Sequence, residues 1–368
     1  MFPPDRILLG PGPSDVHPAV LRALGQPLLG HLDPDFVPLL DAIAEQLRQV
    51  FRTRNRVTFP VSGTGSAGME AVLVNLIEPG DSVVVGVNGV FGARMADVAR
   101  RAGATVHTVE APWGRIIEPE RFIKAVAEHR PTVASLVHAE TSTGAHQPVA
   151  EIGAALAGGD TLLVLDTVTS LAGIDVDIDA WGVDAAYSGS QKCLSVPPGL
   201  APVTFNERAV DRIRARQTPV QSWYLDVTLL LGYLDAEGGR TYHHTAPISM
   251  LYALHAGLEL VLEEGLETRI ARHERLGRML QQGLEGLGLP LLAQEGHRLP
   301  QLTTVGLPAG VDEAQWRRQL LTEHGIEVGA GLGDLAGRAW RIGLMGHSCQ
   351  ERNVHLVLAA IEALLAAR

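Results

Sequence analysis

Short β-rich runs alternate with helical patterns through the first 205 residues, and this alternation limits the possible folds more than any single motif does. The runs lie at 57–61, 82–87, 105–109, 132–137, 161–165, 185–187 and 201–205. Most gaps between them carry apolar residues at helical spacing. A further amphipathic helix is expected near 34–52, where Phe36, Leu39, Leu40, Ile43, Leu47, Val50 and Phe51 recur on one face. Strands separated by helices pair in parallel, because each crossover returns the chain to the same end of the sheet. The expected fold class is α/β, with a mostly parallel central sheet, helices on both faces and ligands held at the carboxyl ends of the strands.

Beyond about residue 245 the pattern changes. Helical spacing at 251–262 and 268–287 precedes a strand at 301–307, a helix near 312–324, strands near 327–328 and 340–342, and a last helix at 350–367. This reads as a smaller α+β unit. The 368 residues suit about two domains. The expected division is an N-terminal arm at 1–20, a large domain at 21–264 and a small domain at 265–368. The glycine-rich run 329–337 reads as a flexible loop.

A formal charge of −11 and a pI near 5.7 leave no broad basic surface for nucleic acid or an anionic membrane. No apolar stretch reaches membrane-spanning length, and the opening Met-Phe-Pro-Pro-Asp-Arg lacks a basic segment followed by an apolar one. Cys193 and Cys349 are too few for a disulfide framework or a thiolate zinc site, so no metal is expected and a reducing, cytoplasmic setting is. Of the 30 Lys and Arg residues only Lys124 and Lys192 are lysines. Any chemistry that needs an amine has two candidates.

The run 57–61 leads into Ser62-Gly63-Thr64-Gly65-Ser66-Ala67-Gly68 and then a helical stretch. Strand, glycine turn and helix start together offer free N–H groups and the positive end of a helix dipole, a cradle for phosphate. The segment also matches G-x-G-x-x-G. A dinucleotide site, however, wants an acidic residue at the end of the next strand, and there the chain has Asn88-Gly89. A tight turn without a ligand stays open as the plain reading, although Thr64 and Ser66 add hydroxyls that such a turn does not need.

Lys124 sits on a mixed helix face and reads as solvated. Lys192 lies in Tyr187-Ser188-Gly189-Ser190-Gln191-Lys192-Cys193, among small and apolar residues, in a chain that otherwise prefers arginine. An amine can form a Schiff base and a guanidinium cannot. Upstream, the apolar run 161–165 ends in Asp166. Such an acid can simply cap a helix. Beside a reactive lysine and a phosphate cradle, it also supplies the carboxylate that keeps a pyridine nitrogen protonated, and the three features converge on pyridoxal phosphate.

With these residues in view, the chain resembles the class V, fold-type I pyridoxal phosphate aminotransferases, most closely the alanine–glyoxylate and serine–glyoxylate branch. The resemblance runs from Leu9-Gly10-Pro11-Gly12-Pro13-Ser14 through Leu29-Gly30-His31-Leu32-Asp33-Pro34, the 62–68 loop and Glu78-Pro79-Gly80-Asp81. It continues through Glu140-Thr141-Ser142-Thr143-Gly144, the 188–192 segment, Tyr242-His243-His244-Thr245 and Arg341-Ile342-Gly343. It implies that Lys192 is the catalytic residue, which carries the cofactor and moves the proton. Asp166 would pair with the pyridine nitrogen, Thr64, Gly65, Ser66 and Gln191 would bind the phosphate, Phe91 would stack on the ring, and Thr141 would approach the ring hydroxyl. Tyr242 and Thr245 would reach the phosphate of a neighbouring subunit, so a homodimer with shared sites is implied. Arg341 would clamp the substrate carboxylate, where a planar fork suits a carboxylate. Gly12 and His31 would line the substrate pocket.

The implied reaction passes the amino group of alanine, or of serine, to glyoxylate or a similar small 2-oxo acid. Two other readings share the fold: a desulfurase or lyase, which needs a reactive cysteine on a mobile loop, and a ureidoglycine–glyoxylate aminotransferase, whose branch tends to carry amides in place of His31 and Tyr242. A non-catalytic scaffold would need none of Lys192, Asp166 and Arg341.

Overall fold

The computed structural model describes residues 4–234 and 241–367, so residues 1–3 of the expected arm and Arg368 lie outside the described residues. Seven strands form the central sheet, in the spatial order Val57–Ser62, Leu200–Phe205, Ala185–Tyr187, Leu162–Asp166, Val133–Val137, Ser82–Val87 and Thr105–Glu110. Leu200–Phe205 is antiparallel to both neighbours and the other ladders are parallel. The expected α/β class with a mostly parallel sheet is the one the chain adopts.

The central strands are buried along their whole length and mostly apolar because both of their faces are covered. Successive side chains of a strand point to opposite faces. Leu163 and Leu165 join a core with Leu40, Ile43 and Leu47 of the helix Val37–Phe51, whereas Leu162 and Val164 join a second core with Met69, Leu73 and Met95. Each such leucine contributes about 1.5–3 kcal/mol through burial, so a charged residue at Leu165 would break the layer rather than loosen it. Lys124 is exposed on the helix Pro119–His129, as its sequence context suggests.

The C-terminal region builds a third core around Leu276, Leu280, Trp340, Ile342, Val357 and Ile361. Its antiparallel sheet has the order Leu302–Gly306, Ala339–Gly343, Gly329–Ala330, packed with the helices Leu266–Gly286 and Glu351–Ala366. The N-terminal Ile7–Leu8 pairs in parallel with Ile326–Glu327, and Leu9 enters the same core.

One expectation fails here. Gly329–Ala330 is a strand paired with Arg341 and Trp340, and Gly333–Leu335 is a helical turn, so the glycine-rich run is not simply a loop. The glycine serves close approach: a Cβ at Gly329 would lie 2.4 Å from Cδ of Pro11. That contact brings the N-terminal segment beside Arg341.

Candidate active site

The segments that carry the predicted residues meet at the carboxyl ends of the parallel strands. Asp166 ends Leu162–Asp166, and Lys192 lies in the turn after Ala185–Tyr187. Thr141 lies just past Val133–Val137, and Thr64 follows Val57–Ser62.

Asp166 is buried and fully hydrogen-bonded. Its Oδ1 accepts the Val168 N–H at 2.8 Å and its Oδ2 accepts the Tyr187 hydroxyl at 2.8 Å. Burial pushes its pKa up from 3.8 to about 7, with the charge of Glu140 pushing the same way; the two hydrogen bonds and the charge of Lys192 pull it down. A carboxyl poised there can lose its proton once a cationic ring nitrogen arrives beside it.

Lys192 is only 8% exposed. Its ammonium donates to the Pro11 carbonyl, and its own carbonyl accepts the Ser14 hydroxyl at 2.8 Å and the Ser195 N–H at 3.0 Å. Burial first, then the charge of Arg341, lowers its pKa from 10.5 to about 8, against the pull of Cys193 and Asp166. Gly12, at φ +107°, is placed so that a Cβ would lie 2.7 Å from Nζ of Lys192. The N-terminal segment therefore covers the amine and leaves no room there for a side chain.

The helix Gly65–Leu76 starts at the glycine turn, with Thr64 as an extended N-cap whose side chain makes no capping bond. The Thr64 carbonyl takes the N–H groups of Ala67 and Gly68; those of Gly65 and Ser66 have no partner among the described residues. A Cβ at Gly65 would lie 3.2 Å from Val168, and one at Gly189 would lie 3.5 Å from Cα of Gly65 and 2.8 Å from Oε1 of Gln191. Three loops thus close on one spot, and Gln191 Oε1 is buried there without a partner.

Glu140 joins the next two pieces. Its Oε2 accepts the N–H groups of Phe91 and Gly92 at 3.2 and 3.3 Å, and its Oε1 accepts the Ser142 N–H at 3.1 Å and hydroxyl at 2.6 Å. Ser142 Oγ in turn accepts the Val90 N–H at 3.0 Å. This buried carboxylate, its pKa raised by burial, sits at the positive end of the helix Val90–Arg101 and fixes Phe91 relative to Thr141. Thr141 shares a 2.6 Å hydrogen bond with the Thr169 hydroxyl. Arg341, 8% exposed, donates from Nε to the Ala330 carbonyl at 2.8 Å and from Nη1 to the Thr141 carbonyl at 3.3 Å.

The chain therefore gathers Gly12, Thr64, Gly65, Ser66, Phe91, Thr141, Asp166, Gln191, Lys192 and Arg341 at the carboxyl ends of the strands, joined by the contacts above. His31, Tyr242 and Thr245 lie apart from this group. Tyr242 is exposed with its ring 5.3 Å from that of His31, whose carbonyl accepts the Tyr233 hydroxyl at 2.8 Å, and Thr245 is also exposed. His244 bonds Ser62 Oγ at 3.0 Å, which anchors their segment beside the entry to the glycine turn. His243 and His244 bond each other, Nδ1 to Nδ1 at 2.9 Å, and His243 stacks on Trp223.

Tyr187 and Glu140 escaped sequence reasoning as side chains with a task. Glu140 stood inside a noted motif without a role, and Tyr187 meets Asp166 only because sheet register sets the two side by side.

The donor set fits pyridoxal phosphate: unpaired helix-start N–H groups with Ser66 and Gln191 for a phosphate, Asp166 for a ring nitrogen, Phe91 for the ring face and a partly neutral buried amine for covalent attachment. Comparison with known proteins agrees with that chemistry. Residues 21–343 match the aminotransferase class-V family. A structure of alanine–glyoxylate aminotransferase from Nostoc sp. is 49% identical, covers 99% of this chain and 96% of that one, and superimposes with a TM-score of 0.97. The (S)-ureidoglycine–glyoxylate transaminase of Bacillus subtilis is 42% identical over 98% of this chain and 91% of its own length. The alanine–glyoxylate aminotransferase of Drosophila melanogaster is 40% identical over 98% and 92%. The chain belongs to the class-V aminotransferases and is a pyridoxal phosphate-dependent enzyme.

Proposed function

We propose that this enzyme transfers the amino group of a small L-amino acid, alanine before serine, to glyoxylate or a similar small 2-oxo acid. The products are glycine and pyruvate, or hydroxypyruvate from serine. The observation that carries the reading is the buried guanidinium of Arg341, held at the Thr141 carbonyl, with its charge acting on Lys192. A carboxylate-binding fork beside a reactive amine selects amino and oxo acids over amines and aldehydes.

Pyridoxal phosphate, when bound, supplies a ring that accepts the electrons of a substrate C–H bond. The chain supplies everything else. Lys192, with its pKa near 8, has a neutral fraction at physiological pH, so it can attach the cofactor and later take and return the substrate proton at Nζ. Asp166 would hold the ring nitrogen protonated, and its Val168 and Tyr187 donors keep the carboxyl oriented. Thr64, Gly65, Ser66 and Gln191 would hold its phosphate, Phe91 would lie against its ring and Thr141 would approach its hydroxyl. Arg341 orients the substrate, with Gly12 and His31 lining the space around it.

The homodimer is part of this proposal. Leu28, Trp223 and Tyr242 are 69%, 62% and 60% exposed, apolar and aromatic surface that a second subunit would cover. Tyr242 and Thr245 would reach the partner's phosphate from that surface. We place the enzyme in the cytoplasm, in keeping with two free buried cysteines, and retain the division into 1–20, 21–264 and 265–368. Among the described residues no helix is long and apolar enough to cross a membrane.

Transamination of ureidoglycine is the second reading, favoured by the likeness to the Bacillus subtilis enzyme. It ranks second because His31 and Tyr242 stand where that branch tends to carry amides. A desulfurase is disfavoured, since Cys193 and Cys349 are buried and burial pushes their thiols up to about 12 and about 11. Steady-state rates with alanine, serine and (S)-ureidoglycine, each against glyoxylate and pyruvate, test the choice. Alanine with glyoxylate should show the highest kcat/KM; no turnover with any of these donors would refute the proposal.

A further inference from the structure

We propose that Arg94 is the cation that faces the cofactor phosphate. The inference rests on the pyridoxal phosphate site described above. A bound phosphate monoester carries a charge of about −1.5 to −2, whereas the first turn of a helix offers only about half a positive charge. Among the described residues no other Lys or Arg side chain is hydrogen-bonded to Thr64, Gly65, Ser66 or Gln191. Lys192 is committed to its bond with Pro11 and to the chemistry, and Arg341 is held at Ala330 and Thr141. The cradle as the sequence describes it lacks a counter-charge.

Arg94 supplies one. Its Nη1 donates to Ser66 Oγ at 3.3 Å, and its guanidinium lies over the Phe91 ring, 5.0 Å from the centroid. Its position is fixed from behind, because Glu140 and Ser142 hold the first N–H groups of the helix that carries both Phe91 and Arg94. The positive charge of Arg94, exposed at its outer end, also acts on the buried Tyr187 hydroxyl at the strand ends. An oxygen that accepts from Ser66 Oγ at about 2.7 Å falls within about 6 Å of Nη1. Attraction over that distance, in a site half screened by water, corresponds to roughly a tenfold change in affinity. Arg94 also explains how a chain with serine at position 66 and phenylalanine at position 91 can hold both ends of the cofactor: one guanidinium lies against each.

The test separates the phosphate from the ring. Cofactor-free wild type, Arg94→Gln and Arg94→Lys are titrated with pyridoxal phosphate and with pyridoxal, which lacks the phosphate, and dissociation constants are read from the absorbance of the attached ring. Arg94→Gln should weaken pyridoxal phosphate about tenfold and leave pyridoxal within about twofold, while Arg94→Lys should recover most of the loss. Equal weakening of both ligands would make Arg94 a support for Phe91 alone and overturn the proposal, as would no change in either. Should Arg94→Gln fail to fold, Arg94→Met is titrated in its place, and a loss shared equally by both ligands, or none for either, refutes the assignment. Wild type that takes up neither ligand would instead defeat the cofactor site itself.

Discussion

Replacing Tyr187 by Phe removes one oxygen from a fully buried ring and one donor from Asp166. The packing volume stays nearly the same, so the consequence is electrostatic. A hydrogen bond to a charged group is worth about 1.5–3 kcal/mol, against about 1 kcal/mol to a neutral one. The variant should therefore hold the Asp166 proton more tightly, and its titration midpoint should move up from about 7 by about one pH unit or more. The sign of the stability effect follows. A carboxyl whose pKa is higher in the folded chain than in the unfolded one makes the folded state less stable as pH rises, here between about 4 and about 7. In the variant that loss continues to higher pH. Urea unfolding of cofactor-free protein, followed by tryptophan fluorescence, should give a penalty of about 1 kcal/mol at pH 5 and about 2–3 kcal/mol at pH 9. In an Asp166→Asn background the pH dependence of the penalty should vanish. A penalty of the same size at both pH values would show that the phenol only packs, and would refute its coupling to Asp166.

Other consequences can be checked separately. Cofactor uptake by the empty enzyme should accelerate with pH and level off above about 8, because the neutral amine of Lys192 is the attacking form; stopped-flow absorbance with a midpoint near 10.5 would contradict its burial beside Arg341. Arg341→Lys should raise KM for the amino acid about tenfold or more and change kcat less, since the charge stays but the fork is lost. Gly12→Ala forces a β-carbon against Nζ of Lys192 at φ +107°, so a backbone cost of about 1–2 kcal/mol should lower the melting temperature and slow cofactor attachment together; a variant with wild-type values for both would contradict the close approach. Glu140→Gln replaces two acceptor oxygens by one and should disturb the circular dichroism of the bound ring through Phe91, whereas an unchanged signal would show that Glu140 does not set that ring's position.

The sheet was readable because its strands are short apolar runs between glycine-rich turns, and local pattern alone marks such runs. Ser82–Val87 and Ala185–Tyr187 fall where the sequence places them, the run 161–165 moves by one residue as a whole, and the others shift by a residue at one end. Asp166 and Lys192 could be singled out for a similar reason, since each is a lone ionisable group at the end of an apolar stretch. What stayed hidden depends on register and on contacts across the chain. Nothing local links Tyr187 to Asp166, or Glu140 to the N–H groups of Phe91 and Gly92. The run 329–337 misled because glycine marks both flexibility and close packing, and only the fold shows Pro11 pressed against Gly329. The residues expected to serve a neighbouring subunit, Tyr242 and Thr245, are exposed here, and a single chain gives them no partner to identify their task.

The central claim, an amino-group exchange carried by Lys192, is tested most directly by the spectrum of the holoenzyme through one half-reaction and back. Adding L-alanine without an acceptor should discharge the ring absorbance with one equivalent of pyruvate released, and adding glyoxylate should restore it with one equivalent of glycine; Lys192→Ala should do neither. A spectrum that ignores alanine, serine and glyoxylate, or a Lys192→Ala protein that cycles like wild type, would contradict the account.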